Sequence, residues 1–269
     1  MISGPALLFC PGDRPDRFGK AAAAGDSVII DLEDAVSRAA KDAAREALIA
    51  SDLDPDRTLV RVNPPPSGQL EADLEALRRT PYRKVVLPKA ETREDLARLA
   101  GYEVMAICES PLGVRNAESL AELDDVVALT WGAEDLVAAM GGSSSRHDEG
   151  TYRQFALYAR SRILIAARSA DKAAFDTVHL DIPDREGLRA EATDAAVSGF
   201  TGAMCIHPSQ VEIIRSAFRP TEQAIAWARG VLRAASEASN AVFAYEDRMI
   251  DEPVLRQARK ILAGLPTTE

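Results

Sequence analysis

Short apolar runs alternate along the chain with longer stretches in which apolar residues recur at helical spacing. The runs are ALLFC (6–10), SVIIDLE (27–33), TLVRVN (58–63), KVVLPK (84–89), VMAICES (104–110), VVALTWG (126–132), TVHLD (177–181) and GAMCIHP (202–208). Each has the length of a strand buried on both faces. Between them lie amphipathic segments such as AAKDAAREALIAS (39–51) and QLEADLEALRR (69–79), rich in Ala, Leu, Glu and Arg. These residues lose little on entering a helix. A strand followed by a helix, eight times over, predicts a parallel sheet, and eight such units close into a (β/α)8 barrel. An open doubly wound sheet is the alternative, but no GxGxxG or GxxxxGK[ST] follows any run.

After the eighth run come PSQVEIIRSAF (208–218), TEQAIAWARGVLRAASEA (221–238), the irregular NAVFAYEDRMIDEP (240–253) and VLRQARKILAG (254–264). The expected organisation is therefore an α/β TIM barrel over residues 1–218 and a short C-terminal helical extension over 219–269. That extension is either a cap on the barrel or an arm reaching a neighbouring subunit. Between the sixth and seventh runs, GGSSSR (141–146) reads as a surface linker or as a substrate-side loop.

A length of 269 residues is ordinary for one such barrel. The formal charge of -10 repels phosphate backbones and argues against nucleic acid. No apolar stretch approaches the roughly 20 residues that span a bilayer, and the N-terminus lacks the basic and apolar regions of a signal peptide. Cys10, Cys108 and Cys205 each sit in an apolar run without CxxC spacing, as buried reduced thiols would. A cytoplasmic protein is expected.

The polar residues gather at one end of the runs. The second ends in Asp31, Glu33 and Asp34, the third in Arg61 and Asn63, the fourth in Lys89 and the fifth in Glu109. Glu134 and Asp135 follow the sixth, His179 and Asp181 close the seventh and His207 the eighth. Barrel enzymes carry their chemistry at the C-terminal ends of the strands. Carboxylates converging from the fifth and sixth strands suit Mg²⁺, which takes one or two of them and keeps several waters. Three histidines without metal spacing make zinc a poor fit. Arg61 offers planar donors to a carboxylate or a developing oxyanion. Singly, each of these residues also reads as a barrel-rim ion pair. The first turn, PGDRPDRFGK (11–20), places Arg14, Arg17 and Lys20 near a helix start. This is either a phosphate contact or a solvated basic face offset by Asp13 and Asp16.

The ordered set PGDRPDRF, VIIDLEDAV, LVRVN, LPKAE, ICESPLGV, WGAEDL and CIHPSQ resembles the citrate lyase β-subunit family, a branch of the HpcH/HpaI aldolase and malyl-CoA lyase superfamily. The SSSR stretch and the short tail look most like its stand-alone actinobacterial members. The resemblance implies a homotrimeric TIM barrel that uses Mg²⁺ to cleave a β-hydroxyacyl-CoA into acetyl-CoA and an oxo acid. The implied metal ligands are Glu109 and Asp135, and the substrate arginine is Arg61. Glu33 and Asp34 would order metal waters and that arginine, and Arg14 and Lys20 would meet CoA phosphates. Asp251, in the segment DRMID, matches an acid given across a subunit interface; Asp247 stands where the family has glycine, which leaves the turn less free to adopt positive φ. Thioester hydrolysis on the same site, a CoA-independent 2-oxo acid aldolase, and a subunit that depends on an acyl-carrier complex are the alternatives.

Overall fold

The computed structural model describes residues 2–238 and 240–264; residues 1, 239 and 265–269, at the outer ends of the two expected domains and within the second, lie outside this range. Eight strands form a closed parallel barrel: β1 (Ala6–Pro11), β2 (Ser27–Asp31), β3 (Thr58–Arg61), β4 (Lys84–Leu87), β5 (Glu103–Cys108), β6 (Val126–Trp131), β7 (Ala173–Asp176) and β8 (Gly202–Cys205). β8 closes back onto β1 through Ala6↔Ala203 to Leu8↔Cys205. The helices between them are α1 (Pro15–Ala24), α2 (Lys41–Ile49), α3 (Leu70–Arg78), α4 (Arg93–Ala97), α5 (Pro111–Ala121), α6 (Ala133–Ala139), α7 (Gln154–Ser169) and α8 (Arg185–Ser198), with α9 (Pro208–Phe218) after β8. Every strand sends an apolar side chain into the barrel: Leu7, Ile29, Leu59, Val86, Met105, Ala128, Phe175 and Met204. Burial of each large one is worth about 1.5–3 kcal/mol.

The seventh strand is a correction. It is AAFD (173–176), not the expected TVHLD (177–181). Ala173 and Ala174 pair with Ala128 and Leu129, and Phe175 and Asp176 pair with Gly202 and Ala203. Asp176 then accepts a hydrogen bond from the Thr177 N–H at 3.0 Å, which turns the chain out of the ladder. The alternating Thr177–Asp181 segment has β propensity, but only the register that buries Phe175 completes the core. His179 and Asp181 therefore sit in the loop beyond the strand end.

Two compact units divide the chain, Met1–Arg215 and Ser216–Glu269, so the division between them falls within α9. The second unit holds α10 (Glu222–Glu237), the hairpin β9 (Phe243–Tyr245) and β10 (Arg248–Ile250), and α11 (Glu252–Ala263). Its core is Ala228, Val231, Ile250, Leu255 and Ala258. The hairpin loop is Glu246 (φ 47°) and Asp247 (φ 58°). Positive φ at both central residues matches the twist of a two-residue hairpin, and aspartate tolerates that region better than most residues. The expected restriction at Asp247 is thus absent: the turn takes the left-handed conformation without glycine.

Among the described residues no helix is long and apolar enough to cross a membrane.

Candidate active site

Strand register brings the first two charged groups together. Asp31 is the Cα partner of Arg61 at the ends of β2 and β3. Arg61 donates from Nε to Asp31 Oδ1 at 2.7 Å and from Nη2 to Oδ2 at 2.6 Å, the bidentate fork that carboxylates favour. Its Nη1 lies 3.0 Å from Glu33 Oε2, but not in hydrogen-bond geometry, and that buried oxygen has no donor among the described residues. Phe9 lies under the guanidinium, 4.8 Å from ring centroid to Cζ. Burial opposes the charge, yet the Asp31 hydrogen bonds and the carboxylates of Asp31, Glu33 and Glu109 outweigh it and hold the Arg61 pKa above its usual value.

Lys89 is the second cation. It follows β4 with φ 51°, a left-handed conformation rare for a long side chain. That turn aims its backbone N–H at Glu109 Oε1, 3.0 Å away. Its Nζ donates to Glu33 Oε1 at 2.6 Å and lies 3.5 Å from Asp34 Oδ2 and 3.4 Å from Asp135 Oδ1. Burial pulls its pKa down, but the Glu33 hydrogen bond and the surrounding carboxylates raise it overall.

Glu109 ends the segment after β5 and is 5% exposed. Among the described residues the Lys89 N–H is its one hydrogen bond. Burial, and after it the Asp135 charge, pushes its pKa up to about 8, against the pull of Lys89. Asp135 stands in the first turn of α6 and is partly exposed. Gly132 separates β6 from α6, and a Cβ there would collide with Glu109 Oε2. Burial also raises the Glu33 pKa, although Arg61 and Lys89 oppose it.

Arg61, Glu109 and Asp135 line one cavity of about 170 Å³ at the C-terminal mouth of the barrel, with Phe9, Ile107, Trp131, Val178 and Met204 as its apolar walls. Glu33 reaches the group through Arg61 and Lys89. Asp34 is exposed, and among the described residues its carboxylate pairs with the Lys89 ammonium. Arg14 and Lys20 are exposed on the first turn and α1, and Arg14 donates from Nε and Nη2 to Asp16 at 3.0 Å each. Asp251 belongs to the second unit, where it caps α11 by accepting from Val254 N–H at 3.3 Å. Sequence reasoning missed the site roles of Asp31 and Lys89, although both stood among the strand-end residues.

The donor set fits a hard divalent ion. Among the described residues no three His, Cys, Asp or Glu side chains form a metal cage. Two carboxylates suffice for Mg²⁺, which keeps its remaining places for water. Glu109 is buried, accepts one hydrogen bond among the described residues, and has its pKa pushed up to about 8 by burial and the Asp135 charge, so a divalent ion there would favour its charged form. Gly132 keeps the space beside Glu109 Oε2 free of a side chain.

On the far wall, Arg146, Tyr152 and Thr177 line both this cavity and a neighbouring one of about 470 Å³. Arg146 pairs with Glu191 and stacks on the Tyr152 ring, 3.8 Å from its centroid. Glu191 also meets His179 Nδ1 at 2.9 Å. Burial opposes the Glu191 charge, but His179 and Arg146 hold its carboxyl below the usual range. The GGSSSR loop is anchored: Ser145 is buried and donates to Glu134 Oε1 at 2.6 Å, and Arg146 bridges Tyr152. Of this loop, Arg146 lines the cavity, and residues 141–144 are exposed.

A closed parallel barrel with paired acids and an arginine at its C-terminal mouth defines a metal-assisted enzyme of carbonyl or carboxylate chemistry. Residues 6–208 match the HpcH/HpaI aldolase/citrate lyase family, and the chain belongs to it. A citrate lyase subunit beta-like protein of Mycobacterium tuberculosis is 51% identical over 269 residues, covering 99% of this chain and 98% of that protein. The human mitochondrial citramalyl-CoA lyase is 30% identical over 290 residues, covering 94% and 83%. The crystal structure of M. tuberculosis CitE in complex with magnesium, acetoacetate and coenzyme A superposes with a TM-score of 0.93 at 50% identity, covering 97% of each chain.

Proposed function

We propose that this protein is a Mg²⁺-dependent lyase that cleaves the carbon–carbon bond of a β-hydroxyacyl-CoA, giving acetyl-CoA and an oxo acid. The observation that carries the reading is the convergence of Arg61, Glu109 and Asp135 on one small cavity. The likeness to a CitE structure holding magnesium and coenzyme A, and to a citramalyl-CoA lyase, supports it.

Glu109 and Asp135 would hold the ion, which polarises the hydroxy- or oxo-acid oxygens when bound. Asp31 fixes the Arg61 guanidinium at the cavity wall, where it faces the charge that develops as the bond breaks. Lys89 clamps the Glu109 and Glu33 carboxylates in place. A cavity of about 170 Å³ accepts the acyl head of the substrate and leaves the CoA body outside, toward the end of the barrel that carries Arg14 and Lys20. Asp251, given by a neighbouring subunit of a homotrimer, would return a proton to the acetyl carbon.

Purified protein with Mg²⁺ should release acetyl-CoA from citryl-, malyl- or citramalyl-CoA without a carrier protein. Release of free CoA without an oxo acid would replace cleavage by thioester hydrolysis. Turnover of free hydroxy acids at the same rate would make CoA irrelevant. Mixing Asp251→Asn with Arg61→Ala protein should restore activity on subunit exchange; no recovery removes the shared site.

A further inference from the structure

The cavity of about 470 Å³ beside the mouth lies outside the barrel, between α7 and α8. Phe175 and Met204 fill the barrel, so their neighbours Asp176 and Ala203 face the other way and form the floor of this cavity. Leu157 on α7 and Leu188 on α8 are its apolar sides. Its size suits a small organic molecule. It shares Arg146, Tyr152 and Thr177 with the mouth cavity, but none of Arg61, Glu109 and Asp135.

Charge selects the class of ligand. Both arginines that line the cavity are engaged, Arg146 by Glu191 and Arg160 by Asp176 and Asp194. Asp184 and Glu149 bring two further carboxylates. With His179 neutral, two arginines stand against five carboxylates, a formal charge of -3. An anion would meet no unpaired arginine here, and its burial would be costly. His179 supplies a specific contact. It is 5% exposed, and its Nδ1 lies 2.9 Å from Glu191 Oε2. A carboxylate only accepts, so Nδ1 carries the proton, and Nε2 of the neutral ring is an acceptor. That buried Nε2 has no hydrogen-bond partner among the described residues and stands 3.4 Å from Asp184 Oδ2. Asp184 uses its other oxygen, Oδ1, to cap α8, accepting from the Gly187 N–H at 2.9 Å. Gly187 also leaves room at Oδ2, since a Cβ there would lie 2.0 Å from that oxygen. Two acceptors side by side, in an acidic cavity with apolar sides, call for a positively charged group with several donors. Among the described residues no three His, Cys, Asp or Glu side chains form a metal cage, which favours an ammonium over a metal ion.

We propose that the cavity between α7 and α8 binds a protonated primary amine on a short apolar chain, its ammonium donating to His179 Nε2 and Asp184 Oδ2 and its chain lying against Leu157 and Leu188. The site is separate from the cleavage chemistry and does not rest on the lyase reading.

The test is calorimetric titration of n-butylamine into the full-length protein with Mg²⁺ at pH 8.5, where the probe is protonated, as a lysine side chain is. Wild type should bind it saturably, with a Kd on the order of 1 mM. Butan-1-ol should bind at least about 10-fold more weakly, and butyrate should not bind, because neither brings the charge that the two acceptors select. Asp184→Asn keeps a good helix cap and should weaken the amine by roughly 10- to 100-fold, the worth of a charged hydrogen bond. Ala190→Trp, at an exposed position lining the cavity, should block it and abolish binding. Glu109→Gln, which alters the mouth alone, should bind the amine as wild type does. Lowering the pH to 6 protonates Nε2 of the imidazole, which Glu191, Asp184 and Arg146 face. The proton then competes with the amine, and affinity should fall at least about 4-fold for a pKa at or above 6.5. No saturable binding, equal affinity for butan-1-ol, or an affinity unchanged in Asp184→Asn, in Ala190→Trp or at pH 6 overturns the proposal. A loss in Glu109→Gln would move the amine to the mouth and overturn it too. If the amine binds as expected but no CoA ester is cleaved, the lyase reading falls and this site stands. If esters are cleaved and no amine binds, the reverse holds.

Discussion

At the ends of β2 to β5 both cations are gripped by acid: Arg61 by Asp31 and Glu33, Lys89 by Glu33, Asp34 and Asp135. Beyond β6 and β7 the pattern differs. Arg146 shares Glu191 with His179 and, among the described residues, its Nε and Nη2 donate to no partner. The first side is locked and oriented before any ligand arrives, as charge stabilisation in a transition state requires. The second is fixed in position by Glu191 and the Tyr152 ring, with guanidinium donors unengaged among the described residues. Substitutions on the first side should therefore lower both rate and stability, and those on the second should leave stability the more nearly intact.

The largest effect is expected at Arg61. Arg61→Ala should lower kcat by about 10²–10³, the usual loss for a charge-stabilising donor. It also strips the buried Asp31 of its fork, so stability should fall by roughly 3–5 kcal/mol, read from urea unfolding. A variant that keeps its stability would show that Asp31 is satisfied by the backbone N–H groups of Glu33 and Ala35 alone. Next comes Glu109→Gln. Calorimetry should show Mg²⁺ affinity weakened by at least about 100-fold, more than the loss of a supporting residue gives. Unlike Arg61→Ala, it should not destabilise the metal-free protein, because it replaces a poorly solvated carboxyl by a neutral amide of the same shape. A destabilised Glu109→Gln would mean that the Lys89 N–H contact matters more than the burial of the charge.

The locked side was the more legible in sequence. Period and length gave the closed barrel, and the one-sided placement of Arg61, Glu109 and Asp135 gave the cavity. Three acids within DLED could each serve Arg61, however, and only the Asp31↔Arg61 register selects Asp31. Asp34, three residues after Asp31, is exposed and meets the Lys89 ammonium. Lys89 was hidden because the KVVLPK pattern continues a strand through a residue whose left-handed backbone in fact ends it. The open side was harder to read. Arg146 and Glu191 meet across 45 positions of sequence, and no local period announces such a pair. There the strand itself was misplaced: Thr177 and Val178 have the higher β propensity, but the ladder goes to Ala173–Asp176, where Phe175 fills the barrel.

The smallest expected effect is at His179, and it probes how the open side shares its charge. His179 is 5% exposed, with Nδ1 against Glu191 at 2.9 Å and Nε2 3.4 Å from Asp184. The Glu191 hydrogen bond raises its pKa; burial and the Arg146 charge oppose the rise, and the Glu191 and Asp184 charges add to it. A folded-state pKa above the unfolded value of about 6.5 means that folding takes up protons in that window. The stabilisation is then fully present below pH ~6.5 and is lost as the pH rises through the higher folded value. His179→Gln removes the titration while keeping a hydrogen-bond donor beside Glu191. The stability gap between wild type and this variant should be widest near pH 6 and narrow steadily toward pH 9, where Glu191 is left to Arg146 alone. A gap that stays constant would make His179 a neutral packing residue. One that widens with pH would place its folded pKa below the unfolded one, and Glu191 would then belong to Arg146 at every pH, making the second side as locked as the first.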